Sequence, residues 1–314
     1  MSLGLGMSFL APLLLCALGV SAHDPQEAWP LNPALGVPGF PDCVRRTPAA
    51  ALSIDGAAHD LVCAQRGGGS ADAVRIACVG DSITAGVCSS GGDAPYPAQL
   101  QLMLDAAHGP GAYAVTNLGA CGSTMLKGGD SPYWERPQFD ALVNNTWDVV
   151  VVMLGTNDAK DPGDGGPDNW QHDCGGASHT TLDGCQYASD YADMIALART
   201  LGASADAPPP RVFVTAPPPL MMRGAIGANQ TVINSVYPQL VPLIAAANDA
   251  PEIDVFGGMG GVADWEDEYP DKCELDSALA SCAWWCDEQS CDQCHPNDDG
   301  YVQLAKTVMA GLGL

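Results

Sequence analysis

The stretch Val74-Arg-Ile-Ala-Cys-Val-Gly-Asp-Ser-Ile-Thr-Ala-Gly86 sets the architecture of this chain. Its apolar first half predicts a strand over residues 74–79, and its polar second half predicts a turn that leads into a helix. Ser82 therefore stands at the carboxyl end of a strand, where open α/β sheets carry their chemistry. Gly80 and Gly86 permit the tight bends that such a turn requires. By itself this pattern suits either a nucleophilic serine or a serine that caps a helix.

Strands and helices alternate through residues 71–314. The run 147–154 is the strongest strand signal, because its β-branched residues are typical of a strand buried on both faces of a parallel sheet. The other predicted strands are 113–117, 211–215 and 253–256; the predicted helices are 96–107, 137–144, 187–201, 229–248 and 300–312. This alternation predicts an α/β fold, a three-layer α/β/α sandwich around a central, mostly parallel, five-stranded sheet.

The composition limits the partners of this chain. Its 314 residues are 47% hydrophobic, which is enough for a sizeable buried core. Its formal net charge is −25, from 12 basic and 37 acidic residues. Such a surface repels phosphate backbones and anionic headgroups, so we expect neither nucleic-acid binding nor stable insertion into a membrane.

The first residues predict export. Residues 1–22 combine an apolar run with the small-residue pattern Val20-Ser-Ala22, which is typical of a signal peptide and its cleavage site. A Pro-, Ala- and Gly-rich extension follows over 23–70. The catalytic-type domain then occupies 71–314 and includes a Cys- and Trp-rich insertion at 257–294. We expect a secreted or lumenal protein.

Cysteine usage agrees with that compartment. Of 13 cysteines, Cys16 lies in the predicted signal peptide, and the remaining even number suits up to six disulfides. A local bridge between Cys174 and Cys185 is predicted. Two Asn-x-Thr sequons, at Asn144 and Asn229, are consistent with glycosylation.

Four polar motifs stand where strands end or where the last helix begins. They cover residues 80–83, 117–122, 155–158 and 292–297. Because the carboxyl ends of parallel strands share one edge, the first three loops are expected to converge, and the fourth can fold over them.

These motifs resemble the SGNH or GDSL family of serine hydrolases. The family carries Ser, Gly, Asn and His in four blocks in this order, and the chain supplies Ser82, Gly119, Asn157 and His295. The Asp-x-x-His-Pro element, followed by residues 297–301, also resembles the last block of the family. The resemblance covers about residues 71–314 and implies a flavodoxin-like sandwich with esterase activity.

The residue types explain the expected chemistry. A serine hydroxyl is a weak nucleophile unless a base takes its proton, and His295 is the natural base for Ser82. Asp292 lies three residues earlier, so a short turn can bring its carboxylate to Nδ1 of the histidine. This mechanism requires no metal and no organic cofactor.

The resemblance assigns the oxyanion donors. They are the backbone N–H groups of Ser82 and Gly119 and the side-chain amide of Asn157. Taken one at a time, Gly119 also suits a simple turn and Asn157 a helix cap. Asp81 is expected to hold its turn by backbone hydrogen bonds, and Asp158 is expected to be a cap.

The cysteines near His295 allow a second interpretation. Four cysteines and the histidine lie close enough in sequence to bind zinc, namely Cys282, Cys286, Cys291, Cys294 and His295. Their spacing and the predicted export favour disulfides. We also consider a bridge between Cys88 and Cys121, which would tie the Ser82 loop to the Gly119 loop.

The substrate is less well defined by the sequence. Five tryptophans lie near the predicted loops and suit either sugar stacking or ordinary packing, namely Trp134, Trp170, Trp265, Trp284 and Trp285. No broad apolar lid helix is apparent. These features favour an esterase that removes a small acyl group, such as acetyl, from a carbohydrate or another polar scaffold. The alternatives are a lipid or lysophospholipid acyl hydrolase, an acyltransferase, or a non-catalytic glycan-binding module; the oligomeric state is left open.

Overall fold

The computed structural model describes residues 43–45, 61–63, 73–176, 178–204, 207–288 and 290–314. The predicted signal peptide and most of the predicted extension lie outside the described residues. Within the extension, two short strands pair antiparallel: β1 (Cys43–Arg45) and β2 (Leu61–Cys63).

The main sheet is entirely parallel. It consists of β3 (Val74–Gly80), β4 (Tyr113–Gly119), β5 (Val149–Met153) and β6 (Arg211–Val214), in the order β4-β3-β5-β6. The chain moves outward from β3 to β4 and then returns to the other side of β3. The carboxyl ends of β3 and β5 therefore flank the point where the strand order reverses, the usual ligand position in such sheets.

Helices cover both faces of this sheet, as predicted. The longer ones are α2 (Tyr96–His108), α3 (Pro137–Val143), α5 (Gln186–Ala198), α6 (Tyr237–Ala247) and α9 (Asp298–Leu312). The shorter ones are α1 (Ser82–Ala85), α4 (Trp170–Cys174), α7 (Val255–Gly258) and α8 (Trp265–Glu268). A π-helical turn, Val232–Val236, precedes α6. Among the described helices, none combines the length and the apolar character needed to cross a bilayer.

The protein has two hydrophobic cores, and alternate residues of the strands belong to one core or the other. On β5, Val150 and Val152 pack with α3, α5 and α6, whereas Val151 and Met153 pack with α2 and α9. Every residue of β5 is buried, as its β-branched sequence predicts. Burying one such side chain contributes about 1.5–3 kcal/mol, so the sheet is a rigid support for the loops at its edge.

The prediction of a fifth strand at 253–256 is wrong. A single parallel bridge joins Val214 to Glu252, and the Ile253 N–H donates to the Val214 carbonyl. The carboxylate of Asp254 then accepts a hydrogen bond from the Gly257 N–H (2.7 Å) and starts α7. A helix cap therefore ends the extended segment before a strand can form, and the main sheet of the described residues has four strands.

The disulfides are partly as expected. The Cys174–Cys185 bridge is confirmed, and the insertion holds two more, Cys273–Cys282 and Cys286–Cys291. Three described cysteines are free thiols, so fewer than six bridges form: Cys78, Cys88 and Cys294. The considered bridge from Cys88 to Cys121 is also wrong, since Cys88 is free and Cys121 is disulfide-bonded.

Candidate active site

Ser82 is presented by a sharp turn from strand to helix. The carboxylate of Asp81 accepts a hydrogen bond from the Ile83 N–H (2.9 Å) and thereby caps α1, in which Ser82 is the first residue. A Cβ atom on Gly80 would lie 2.0 Å from Oγ1 of Thr84, so only glycine permits this close approach. The structural role predicted for Asp81 is confirmed, and it fixes the position of the serine.

The structure brings Ser82 together with His295 and Asp292. Oγ of Ser82 lies 2.7 Å from Nε2 of His295, and Nδ1 of that ring lies 2.6 Å from Oδ2 of Asp292. The other carboxylate oxygen, Oδ1, accepts hydrogen bonds from the N–H groups of His295 (2.7 Å) and Cys294 (3.0 Å). His295 is only 1% exposed. This geometry can transfer a proton from a serine hydroxyl to a buried imidazole backed by a carboxylate.

The electrostatics suit that transfer. Burial alone would lower the pKa of His295, but the charge and the hydrogen bond of Asp292 outweigh it, with a further contribution from Asp81, and the net pKa is raised. Burial opposes ionisation of Asp292 as well, yet His295 and the two backbone N–H groups lower its pKa to about 2. The thiols of Cys88 and Cys294 also face Asp292, and Lys160 faces Asp81. The pair therefore stabilises an imidazolium next to an ionised carboxylate.

Gln293 anchors the loop that carries Asp292 and His295. It adopts a left-handed backbone (φ 70°) and is 4% exposed. Its side chain makes two hydrogen bonds with the backbone of Cys273. The Cys273 N–H donates to Oε1 of Gln293 (2.7 Å), and Nε2 of Gln293 donates to the Cys273 carbonyl (3.0 Å). Because Cys273 and Cys291 are both disulfide-bonded, this short loop is held by covalent bridges as well as by hydrogen bonds.

Asn157 follows β5 and lies beside the serine turn. Its Nδ2 donates to the Ser123 carbonyl (3.2 Å) and, at 3.5 Å, to Oδ2 of Asp81. Its own carbonyl accepts a hydrogen bond from Nδ2 of Asn169 (2.9 Å). The side-chain amide of Asn157 thus lies within the predicted cluster, and the longer of its two hydrogen bonds is the one that a developing oxyanion could replace.

The structure does not offer Gly119 as an oxyanion donor, which corrects the role predicted for it. The Gly119 N–H already donates to Oδ1 of Asn117 (2.9 Å). A Cβ atom on Gly119 would lie 2.2 Å from the backbone nitrogen of Ala85. Glycine is therefore required there so that α1 can pack directly against β4, a structural role.

Gly122 is the glycine of this loop that the sequence interpretation missed. It lies in the turn closed by the hydrogen bond from the Ser123 N–H to the Ala120 carbonyl (3.1 Å), with φ 76° and open space above it. Within residues 73–176, the N–H groups of Gly122 and Ser82 make no hydrogen bond to the protein. The sequence places two glycines in one loop. Only the backbone geometry distinguishes Gly119, which packs against α1, from Gly122, which faces open space.

Asp158, the residue after Asn157, holds the neighbouring loop. Its carboxylate accepts hydrogen bonds from the N–H groups of Met125 (3.0 Å) and Leu126 (2.7 Å) and is fully buried. Burial raises the pKa of Asp158 to about 7, and the two N–H donors oppose that rise. The cap predicted for Asp158 is wrong, because its carboxylate anchors a distant loop rather than the start of a helix.

The disulfides exclude a zinc site made of these four cysteines and His295. Three of its four cysteines are paired: Cys282, Cys286 and Cys291. Among the described residues, one group of three side chains has potential ligand atoms within 4.8 Å of one another, namely Cys88, Asp292 and His295. All three are joined by hydrogen bonds through Asp292, an arrangement that suits proton transfer better than coordination of a metal.

Three of the five candidate tryptophans are buried in the core. Trp134 is half-buried, and Nζ of Lys127 lies over its ring, 4.4 Å from the centroid. Trp284 is half-buried as well. The remaining three are buried: Trp170, Trp265 and Trp285. Sugar stacking is therefore restricted to two of the five candidates.

A parallel α/β sheet that carries a Ser–His–Asp arrangement at its carboxyl edge defines a serine hydrolase geometry. Residues 78–303 match the GDSL-like Lipase/Acylhydrolase family. The chain belongs to this family, so the resemblance seen in the sequence is confirmed.

Individual relatives are more distant. The chain is 43% identical over 102 residues to an acetylxylan esterase from Xylanibacter ruminicola, a match that spans 32% of this chain and 19% of that protein. One crystal structure superposes with a TM-score of 0.51 at 17% identity, covering 76% of this chain and 97% of its own, and supports the fold alone. The acetylxylan esterase Axe2 from Geobacillus stearothermophilus gives a TM-score of 0.48 at 18% identity, over 78% of this chain and 96% of its own.

Proposed function

We propose that this chain hydrolyses esters through an acyl-enzyme formed on Ser82. Oγ attacks the ester carbonyl while its proton passes to Nε2 of His295, and Asp292 stabilises the imidazolium. The imidazolium then protonates the departing alcohol, and water releases the acyl group by the same route in reverse.

The donors for the oxyanion lie on three loops. We assign the free N–H groups of Ser82 and Gly122 and the side-chain amide of Asn157 to this role. Each donor is worth about 3–4 kcal/mol in the transition state.

The observation that carries the proposal is the continuous chain of hydrogen bonds through the buried imidazole. The two links are 2.7 Å from Ser82 and 2.6 Å to Asp292. The two outer residues come from opposite parts of the chain, so local sequence alone does not account for this alignment.

The proposed substrate is a carbohydrate, or another polar scaffold, that carries a small acyl group such as acetyl. The local match to an acetylxylan esterase supports this class. The segment that leads to the histidine loop supports it too, because α8 exposes Glu266, Asp267 and Glu268 rather than an apolar surface suited to long acyl chains.

We further propose that the protein is exported with removal of residues 1–22. The disulfides among its cysteines support an oxidising compartment. Of the two sequons, Asn144 is exposed and suits glycosylation, whereas Oδ1 of Asn229 accepts hydrogen bonds from two N–H groups at the next helical turn.

The test compares the wild-type protein with Ser82→Ala. The wild type should hydrolyse an aryl acetate faster than the octanoate and release acetate from acetylated xylan, and the variant should lose about 10⁵-fold or more in kcat. A fluorophosphonate probe should label the wild type alone. Circular dichroism should show the same thermal unfolding for both proteins.

Three outcomes would contradict parts of the proposal. Equal hydrolysis by Ser82→Ala would remove the nucleophile from the mechanism. Binding of xylan without labelling or turnover would indicate a glycan-binding module. Preference for long-chain or lysophospholipid esters would retain the mechanism but replace the substrate class.

A further inference from the structure

The turn that follows the serine helix makes repeated contacts with the last block of the chain. We call residues 86–90 the nucleophile turn. The carbonyl of Val87 accepts a hydrogen bond from the Tyr301 hydroxyl (2.6 Å), and the Ser90 N–H donates to Oδ1 of Asp298 (2.8 Å). Cys88 lies between Val87 and Ser90 in the chain, and its Sγ is 3.4 Å from Oδ2 of Asp292.

Cys88 supplies a donor that the histidine loop does not provide for itself. Among the described residues, the hydrogen bonds to Asp292 come from Cys294, His295 and Cys88, and the first two lie on the same short loop as Asp292. Oδ2 receives two donors, Nδ1 of the histidine and the thiol. The thiol is therefore the contact that ties the carboxylate to the segment that carries the nucleophile.

The backbone of Cys88 adopts an unusual conformation that permits this contact. Its φ is 67°, in the left-handed region, which is unfavourable for a residue with a Cβ atom. Burial and the Asp292 carboxylate raise the pKa of the thiol far above its ordinary value. The sulfur thus remains protonated and acts as a weak donor throughout the neutral range.

We propose that Cys88 is a positioning residue, whose S–H group orients the Asp292 carboxylate and moderates its interaction with His295. This inference rests on the proposed function, because it concerns the same proton transfer. The thiol is a weak donor at the outer lone pair of Oδ2, so it holds the carboxylate in place without competing strongly with the imidazole. A methyl group would leave that lone pair without a partner, and a hydroxyl group would supply a stronger donor.

The test measures the pH dependence of kcat for Cys88→Ala and Cys88→Ser. In Cys88→Ala, kcat should fall about three- to tenfold with KM unchanged, the effect of one lost hydrogen bond in the transition state. The acid limb of the profile should move to higher pH by about half a unit, because a carboxylate with one donor fewer stabilises the imidazolium more strongly. Cys88→Ser should restore kcat to within about twofold and return the acid limb to the wild-type position or below it.

Cys78→Ala is the matched control. It also removes a free thiol, here a fully buried one on β3, where the neighbour of the thiol is Tyr96 rather than Asp292. It should leave the acid limb in place. The charged groups that act on His295, namely Asp292 and Asp81, are the same in all of these variants.

Two results would overturn the inference. One is a wild-type acid limb in both Cys88 variants. The other is a fall in kcat for Cys88→Ala that Cys88→Ser fails to restore and that leaves the acid limb unmoved, since a purely structural role predicts that pattern. Failure of the proposed function is distinguishable, because the wild type itself would then show neither ester turnover nor labelling by the probe.

Discussion

At the scale of single residues, the most informative one is His295, because it is buried and yet has a raised pKa. Burial removes hydration that would stabilise the imidazolium, and the paired carboxylate of Asp292 replaces most of it, with a smaller contribution from Asp81. A buried histidine without Asp292 would remain neutral to much lower pH. The protonation of His295 therefore reports directly on the strength of its contact with Asp292.

The first prediction concerns pH. Because a protonated His295 cannot accept the serine proton, kcat/KM should fall on the acid side through the raised pKa, with its midpoint above about 6.5. Asp292→Asn removes the charge that raises this pKa. The acid limb should then move to lower pH, while the plateau rate falls about 10⁴-fold. Hydrolysis of an aryl acetate measured from pH 5 to pH 9 provides both quantities.

Asp93→Asn is the control for this experiment, because it removes an exposed carboxylate that makes no contact with His295. Its profile should match that of the wild type. A wild-type profile that stays flat down to pH 5 would count against His295 as the base.

The two glycines of the 117–122 loop allow a second prediction. Gly119→Ala places a Cβ atom 2.2 Å from the backbone of α1, so α1 must separate from β4 and the melting temperature should fall by many degrees. Gly122→Ala enters open space and meets only the cost of its positive φ, about 1–2 kcal/mol. It should remain folded and lose kcat.

Thermal denaturation and steady-state kinetics on both variants separate these roles. If Gly119→Ala were as stable as the wild type and inactive, the oxyanion role would return to Gly119. Alanine keeps the backbone N–H, so unchanged kcat in Gly122→Ala would show that the position of this donor does not depend on a glycine at residue 122.

At the scale of elements, the disulfide-bonded segment before the histidine loop has the clearest consequence. The third prediction concerns the double variant Cys286→Ser/Cys291→Ser. This variant lacks the disulfide next to Asp292, whose cysteines are separated by 5 residues in sequence. Its loss should cost about 2 kcal/mol of stability through loop entropy. It should also lower kcat about tenfold or more, since the loop that orients the histidine is then less constrained.

The double variant Cys174→Ser/Cys185→Ser is the comparison. Its bridge has a separation of 11 residues and carries no member of the triad. Stability should fall slightly further, by about 3 kcal/mol, with a smaller effect on kcat. If both double variants lost the same amount of activity for each kcal/mol of stability lost, the 286–291 bridge would have no role at the site beyond its contribution to stability.

The elements also show what local sequence can predict. The β-branched run of β5 and the apolar spacing of α2 were sufficient for correct assignments, since both depend on neighbouring residues alone. The segment 253–256 has the composition of a strand, but Asp254 caps a helix, and that competition is decided by a hydrogen bond to Gly257. The two glycines of the 117–122 loop differ for a similar reason, because φ and packing distinguish Gly122 from Gly119 and composition does not.

At the scale of the whole molecule, the topology explains why the loops that carry the proposed catalytic residues could be expected to converge from their order alone. β3 and β5 are neighbours at the reversal of strand order, so Ser82 and Asn157 follow adjacent carboxyl ends. The arrangement of the cysteines could not be predicted in this way. Their even number after Cys16 allows up to six disulfides, yet Cys78 and Cys294 are enclosed in the core as thiols. Partner choice depends on distances that only the folded chain defines.

The contact between Ser82 and His295 joins residues separated by 213 positions in the chain. Such a contact has very high contact order, so it forms only after the sheet and its flanking helices have assembled. Ester turnover is therefore a sensor of completed folding. A kinetic intermediate that has an intact sheet but an undocked C-terminal helix would retain its circular dichroism signal and yet be catalytically silent, so recovery of activity should lag behind recovery of secondary structure during refolding.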